Sequence, residues 1–396
     1  MPAQRFLPAD ASTDPDASLL FSRLRRTQVV RLVRRALPAT WSGRQRVLVA
    51  CSGGPDSTAL MLSIAVLRES QSLVPHVVCI DHQLRKAAAQ EAQQVVAAAQ
   101  RLGLSAQILP VEVAAGPSRQ AQARSARYRA LVLLAEQLGA PWILLGHTRD
   151  DQAETMLMRW LAGAGPKGLA GMSEVAQPPC SWPSFVRLVR PLLAVSRAQI
   201  QGFLRQATSV IAPLPVDDPS NADPRYLRSR LRNEALPVLR RLAPHLDAHL
   251  LDLSQQLARD AALLDELAAQ ALQALLRSAA SAPSPAPPRD DRLALSVREL
   301  EALPSALTAR IFRRLLGSQL GARHVTALLS LCASTAGRKW LDLPGCGRVE
   351  RCRGWLLLPH LPPAARTTQA SAVPDHLRAQ THAQDPPVLD GWEADA

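Results

Sequence analysis

Val47-Leu48-Val49-Ala50-Cys51-Ser52-Gly53-Gly54-Pro55-Asp56-Ser57-Thr58 is the stretch on which the fold of this 396-residue chain turns. An apolar run of strand length enters a Gly-Gly turn, and a helix-length segment leaves it over about 57–69. Two glycines let the backbone turn tightly and approach a ligand closely. The following helix offers unpaired N–H groups and the positive end of its dipole. Ser52 and Ser57 add hydroxyl donors, so Ser52, Gly53, Gly54, Pro55, Asp56 and Ser57 read as a pyrophosphate cradle. Asp56 is the discordant member. A carboxylate beside phosphates is repulsive unless a cation such as Mg2+ lies between them. A bare Gly-Gly with Asp-Ser is more often a turn and a helix cap; the strand–loop–helix setting is what favours the ligand-binding reading. The loop lacks both the Gly-Lys-Ser/Thr of the Walker loop and the Gly-x-Gly-x-x-Gly of dinucleotide folds.

Outward from this loop the pattern repeats. Strands are expected at 76–80, 106–113 and 142–145, with helices over 88–102, 120–138 and from near 150. Strands alternating with crossover helices predict an α/β fold with a doubly wound parallel sheet, its ligands beyond the C-terminal strand ends. The alternation stops after Arg190-Pro191, and 196–206 and 226–278 are leucine- and alanine-rich at helical spacing. The expected organisation is a flexible leader (1–25), a catalytic domain (26–215) and a helical segment (216–280). A Pro-rich linker (281–290), a small α+β unit (291–360) and a disordered tail (361–396) complete it.

Two further clusters fall at strand ends. Asp81-His82 follows the second strand, in a loop neighbouring the cradle, where a contact near the nucleoside half of a nucleotide is expected. Gly146-His147-Thr148-Arg149-Asp150-Asp151-Gln152-Ala153-Glu154-Thr155 follows a later strand and opens a helix. Asp151 and Glu154, three apart, share a helix face. An acidic first turn also suits the helix dipole. With His147 beside them on the ligand side, these carboxylates suit a cationic substrate, Mg2+ or proton transfer from an amine.

Composition narrows the partners. The 46 Lys and Arg against 33 Asp and Glu leave a charge of +13, which attracts polyanions, and nucleic acid is the commonest. No run approaches the roughly 18 apolar residues of a membrane helix, and the first twenty residues carry Asp10, Asp14 and Asp16 with no apolar core. No membrane association and a cytoplasmic location are expected. The six cysteines include no Cys-x-x-Cys pair, which speaks against a metal or redox role.

The Ser-Gly-Gly-x-Asp-Ser loop resembles the PP-loop of ATP pyrophosphatases, which cleave ATP to AMP and pyrophosphate while adenylating a substrate. Together with His147-x-x-Asp150-Asp151-Gln-Ala-Glu154-Thr, it resembles the tRNA(Ile)-lysidine synthetase family. Asp81-His82-Gln-Leu84-Arg85, Ala123-Arg124-Ser-Ala-Arg127-Tyr128, Gly165-Pro-Lys-Gly168-Leu169-Ala-Gly171-Met172 and Arg190-Pro191-Leu192-Leu193 follow in the family's order. Asp218-Pro219-Ser220-Asn221-x-Asp223, with Tyr226, Arg228 and Arg232, completes the series. Thr148, where the family often has a second histidine, is a departure, as are Ala162 and Ala88.

The resemblance implies ATP at residues 52–57 with Mg2+ on Asp56, and Asp81 and His82 near the nucleotide. It implies Asp151 and Glu154 as the site of free L-lysine, His147 at the reacting nucleotide, and Arg124 and Arg127 as neutralising the adenylate or guiding RNA. A solvated helix face remains the plain alternative for those two arginines. The implied partner is tRNA(Ile) with a CAU anticodon, held in part by Arg240, Arg241, Arg313, Arg314, Arg338, Lys339 and Arg351; a homodimer is compatible. The competing reading within the class is tRNA thiolation, which typically needs paired cysteines or an iron–sulfur cluster. An amide-forming ligase for small molecules needs neither the basic charge nor the helical extension.

Overall fold

The computed structural model describes residues 15–39, 41, 43–81, 86–112, 119–180, 182–213, 215, 226–281, 292–317, 320–334 and 338–359. His82, the Asp218–Asp223 motif, the linker and the tail of the sequence reading lie outside them. The described chain forms two compact units, divided between Ala258 and Arg259.

The first unit begins with helices α1 (Pro15–Arg25) and α2 (Gln28–Ala36). The second half of the expected leader is thus helical, and Leu24 is fully buried. Then come β1 (Gln45–Ala50), α3 (Pro55–Leu67), β2 (Leu73–Asp81), α4 (Lys86–Arg101), β3 (Ser105–Pro110), α5 (Arg119–Gln137), β4 (Trp142–Leu144) and α6 (Arg149–Leu161). The expected alternation is present, with ends shifted by a few residues. Before the expected stop at Arg190-Pro191 it includes two strands that the sequence did not single out: after the short α7 (Pro166–Leu169) come β5 (Val175–Ala176) and β6 (Arg187–Val189). At two and three residues these are too short for periodicity to reveal.

The sheet order is β3-β2-β1-β4-β6-β5, parallel except for the β5–β6 pair. Val49 pairs with Val77 on one side and Leu144 on the other. The chain winds outward from β1 to β3, then returns to β4 on β1's other edge, so a crevice opens beyond the ends of β1 and β4. Period-2 alternation builds a core on each face. Val47, Val49, Val77 and Leu144 pack with α1–α4. Leu48, Val78, Ile143 and Leu188 face Tyr128, Leu131 and Val132 of α5. From Ser57 to Leu67 every residue of α3 is buried, which an apolar run without an exposed polar stripe requires.

Helices α8 (Arg197–Arg205) and α9 (Thr208–Ile211) close the sheet. Beyond the undescribed segment, α10 (Leu227–Arg230) passes through a π turn (Leu231–Ala235) into α11 (Leu236–Leu242), and α12 runs from Leu246 to Ser281. The helical segment is therefore not a unit of its own. It is divided inside α12, because Ala268, Leu272 and Leu275 join the core of the second unit. That unit adds β7 (Leu293–Ser296), α13 (Val297–Ala302), α14 (Ser305–Leu316), α15 (Ala322–Ala333), β8 (Lys339–Leu343), β9 (Gly347–Cys352) and β10 (Trp355–Leu358). Its antiparallel sheet has the order β7-β10-β9-β8, so the expected α+β character holds.

Candidate active site

Residues 51–54 connect β1 to α3. Gly53 takes φ 84°, a left-handed backbone that favours glycine, and Gly54 is the N-cap of α3 with Pro55 in its first turn. No side chain caps this helix at Gly54, which suits its first N–H groups to an anion. The Ser57 hydroxyl is the hub of the turn: it donates to the Gly54 carbonyl (3.1 Å), accepts from the Ser52 N–H (3.2 Å) and meets Ser52 Oγ at 3.2 Å. Thr58 Oγ1 donates to the Gly53 carbonyl at 3.3 Å. Ser52, Gly53, Gly54 and Ser57 are thus tied into one turn, and Pro55 and Asp56 open the helix that follows it.

Gly146 brings the second cluster to the first. A Cβ there would stand 3.0 Å from the backbone N and Cα of Ser57, so a side chain would force the β4 loop and the cradle apart by a few tenths of an ångström, and glycine lets them touch. Thr148 then caps α6, accepting from the Asp151 N–H (3.3 Å), while Asp151 Oδ2 accepts from the Thr148 N–H (2.9 Å) and hydroxyl (3.0 Å). The sequence departure at Thr148 is therefore a capping box.

The three carboxylates of α6 have separate duties. Asp150 is structural: its Oδ2 accepts from the Arg197 N–H and its Oδ1 from Arg240, both at 2.9 Å. Asp151 and Glu154 share a face, as their spacing predicted, and three arginines converge on them. Arg197 bonds both carboxylates, at 2.9 and 3.0 Å, as does Arg228, at 3.1 and 2.8 Å. Arg232 grips Glu154 with two bonds at 2.7 and 3.0 Å. Arg197 Nε also stands 3.8 Å from Asp56. Arg228 and Arg232 came out of the sequence only as motif members, and nothing in the sequence distinguished Arg197 from the other arginines. Arg240, expected on RNA, is tied to Asp150 and Asp247.

Burial raises the Glu154 carboxyl, but the hydrogen bonds from Arg232 and the charges of Arg228 and Arg197 outweigh it and hold its pKa below the usual value. Asp56 goes the other way. Burial first, then Asp151 and Asp150, push it up to about 6, against Arg197 and Arg232. Opposite Arg228 the surroundings turn basic. Burial, with Arg190, Arg228, Arg124 and Arg127, holds His147 well below its ordinary pKa, so it is a neutral imidazole. Arg124 and Arg127 lie over the ring of buried Tyr128 at 5.2 and 5.7 Å, and burial lowers the Arg127 pKa. A solvated helix face does not describe Arg127. Asp81 ends β2, beside β1 on the same sheet edge. Cys51 and Cys79 are buried with their thiols pushed up, Cys79 to about 12, which makes them inert.

A strand–loop–helix phosphate cradle at the switch point of a parallel sheet, with carboxylates on the next loop, defines an ATP-using domain of the PP-loop class, and residues 25–239 match the family model of the PP-loop domain. The chain is 41% identical to tRNA(Ile)-lysidine synthase of Salinispora tropica, over 78% of this chain and 89% of that protein. It is 38% identical to that of Thermobifida fusca, over 82% and 95%. This chain belongs to the tRNA(Ile)-lysidine synthase family. Among solved structures it is similar to the U34-tRNA thiolase NcsA from Methanococcus maripaludis, with a TM-score of 0.45 and 16% identity over 60% of this chain and 79% of that one.

Proposed function

We propose that this protein ligates free L-lysine to C2 of the wobble cytidine of tRNA(Ile) bearing a CAU anticodon, using ATP. The C2 oxygen attacks the α-phosphate, pyrophosphate leaves, and the adenylated oxygen becomes a good leaving group. The neutral ε-amine of lysine then attacks C2, and AMP departs. The product, lysidine, pairs with A instead of G, so the codon read changes from AUG to AUA and the tRNA's identity from methionine to isoleucine. The observation that carries this reading is the single crevice holding the cradle, Asp56 and the Asp151/Glu154 pair, with Arg197 within 4 Å of all three carboxylates.

The chain's residues have distinct parts in it. The turn of Ser52 to Ser57 and the uncapped start of α3 bind the phosphates. Asp151 and Glu154 hold the amine of lysine and accept its proton. Neutral His147 contacts the reacting nucleotide as donor or acceptor without adding charge, while Arg124, Arg127 and Arg228 balance the phosphate. Asp81, and His82 outside the described residues, belong to the nucleoside side. Among the described residues no group of three ligating side chains stands together. A Mg2+ fits Asp56 as one protein ligand beside phosphate oxygens, and its high pKa marks a carboxylate crowded by others. When bound, the ion would neutralise phosphate charge.

No helix of the described chain is long and apolar enough to cross a membrane. The reading places the protein in the cytoplasm with its tRNA. Sedimentation at working concentration distinguishes a monomer from a homodimer. The test of function mixes protein, Mg-ATP and labelled lysine with an isoleucine tRNA transcript carrying CAU. Label in that tRNA and none in methionine tRNA is expected. ATP cleaved to AMP with no label transferred would overturn the choice of lysine and keep the adenylation.

A further inference from the structure

The carboxylates that this reaction needs for lysine are full. Glu154 Oε1 accepts from Arg197 and Arg232, and Oε2 from Arg228 and Arg232. A carboxylate has about four acceptor positions, so none is left for an ammonium. Asp151 is no more open: Thr148 holds one oxygen, Arg197 and Arg228 the other. A guanidinium has to leave before a cationic co-substrate can enter.

Arg197 is the one placed to do so. It makes a single bond to each carboxylate, as Arg228 does, where Arg232 grips Glu154 twice; what sets Arg197 apart from Arg228 is its reach to the nucleotide loop. Its Nε also reaches Asp56 on the nucleotide loop at 3.8 Å, too long for a hydrogen bond and short enough for attraction. Its backbone is fixed independently of its side chain. The N–H donates to Asp150, and Ser196 and Gln199 form a capping box around the start of α8. The guanidinium can therefore swing while the helix stays.

We propose that Arg197 is a positioning residue that couples the nucleotide loop to the amine site. Without nucleotide, its guanidinium occupies the amine's place on Asp151 and Glu154; phosphates bound at residues 52–57 draw it toward the loop and vacate that place. This rests on the lysine-ligating reading. Coupling of this kind is reciprocal, so nucleotide strengthens lysine binding and lysine strengthens nucleotide binding by the same factor.

The test is calorimetric titration of L-lysine into the full-length protein, with and without Mg2+ and the non-hydrolysable α,β-methylene analogue of ATP. Wild type is expected to bind lysine about tenfold tighter with nucleotide, within the usual range of such couplings. Arg197→Gln is expected to lose the dependence, binding lysine in both states about as wild type does with nucleotide. Coupling that persists in Arg197→Gln, or lysine affinity that falls equally in both states, overturns the proposal, the second outcome being that of a merely structural residue. Circular dichroism checks folding. Should the glutamine variant not fold, Arg197→Lys, with a compact charge that cannot bridge both carboxylates, is expected to show weaker coupling, and unchanged coupling overturns the idea. Lysine incorporation by the same wild-type preparation separates the two failures. Label transferred with ATP present, while lysine binding shows no dependence on nucleotide, removes the role of Arg197 alone. No label and no lysine bound in any state removes the substrate reading with it.

Discussion

Two glutamates, one in each unit, are buried under arginines, and they are built on different principles. Glu350 of β9 is met by Arg292 at 3.1 Å and by Arg338, whose side chain is 67% exposed. Both partners reach it within one small sheet unit. Glu154 is fully buried, takes three guanidiniums, and lies in a group with Asp56, Asp150 and Asp151. Arginine hydrogen bonds hold both glutamates below their usual pKa, against burial. The difference lies in what is left over. The second-unit cluster satisfies itself, whereas the crevice gathers four carboxylates and four arginines beside an uncapped helix start and leaves Asp56 with a raised pKa. A carboxylate held above its ordinary pKa beside an uncapped helix start is where we expect substrate charge to enter.

The sharpest way to break the contrast is Asp56→Asn. Lysine transfer should fall on the order of 10²–10³-fold or more, as when a transition-state charge loses its stabiliser. A residual rate near wild type in single-turnover assays would remove Asp56 from the chemistry. Next comes Glu154→Gln, which leaves three guanidiniums around a neutral amide. Removing one partner of a buried ion pair costs about 3–5 kcal/mol, and the partly exposed arginines reduce this to about 2–3. A lowered Tm with lysine transfer lost is expected; an unchanged Tm would mean that the arginines do not rely on Glu154.

The pH dependence separates the two acids. Glu154 has a lowered folded pKa, so the stability it contributes is present above its unfolded value of 4.5 and is lost as pH falls through the folded one. Asp56 has the opposite sign: its folded pKa of about 6 exceeds the ordinary 3.8, so the ionised form costs stability above pH 6 and the cost vanishes below 3.8. Without Mg2+, Asp56→Asn is therefore expected to be more stable than wild type at pH 7.5 by about 1–3 kcal/mol. The gap should close near pH 4, and thermal melts at both pH values check it. The smallest effect belongs to the exposed pair of Arg348 and Asp342 on β9 and β8. Asp342→Asn should leave both Tm and lysine transfer unchanged, and a lost activity would show that this surface takes part in tRNA binding.

Much of this was legible in the chain. The cradle, the crossover order and the shared face of Asp151 and Glu154 follow from local rules: glycine at a turn, period two or 3.6, and three-residue spacing on a helix. Thr148 was legible as a departure, but its capping box needed the geometry of α6. β5 and β6 were missed because two or three residues carry no period. The boundary inside α12 was missed because a continuous helix gives no punctuation where its core partners change.

The sequence by itself determined the class of chemistry, because a phosphate cradle is made by consecutive backbone atoms whose conformation neighbouring residues dictate. Only the tertiary structure decided how the charges are shared. Arg197, Arg228 and Arg232 stand 43, 74 and 78 residues from Glu154, and each meets it because α8 and the α10–π turn pack against α6. An ion pair depends on distance in space, and no spacing along the chain encodes it.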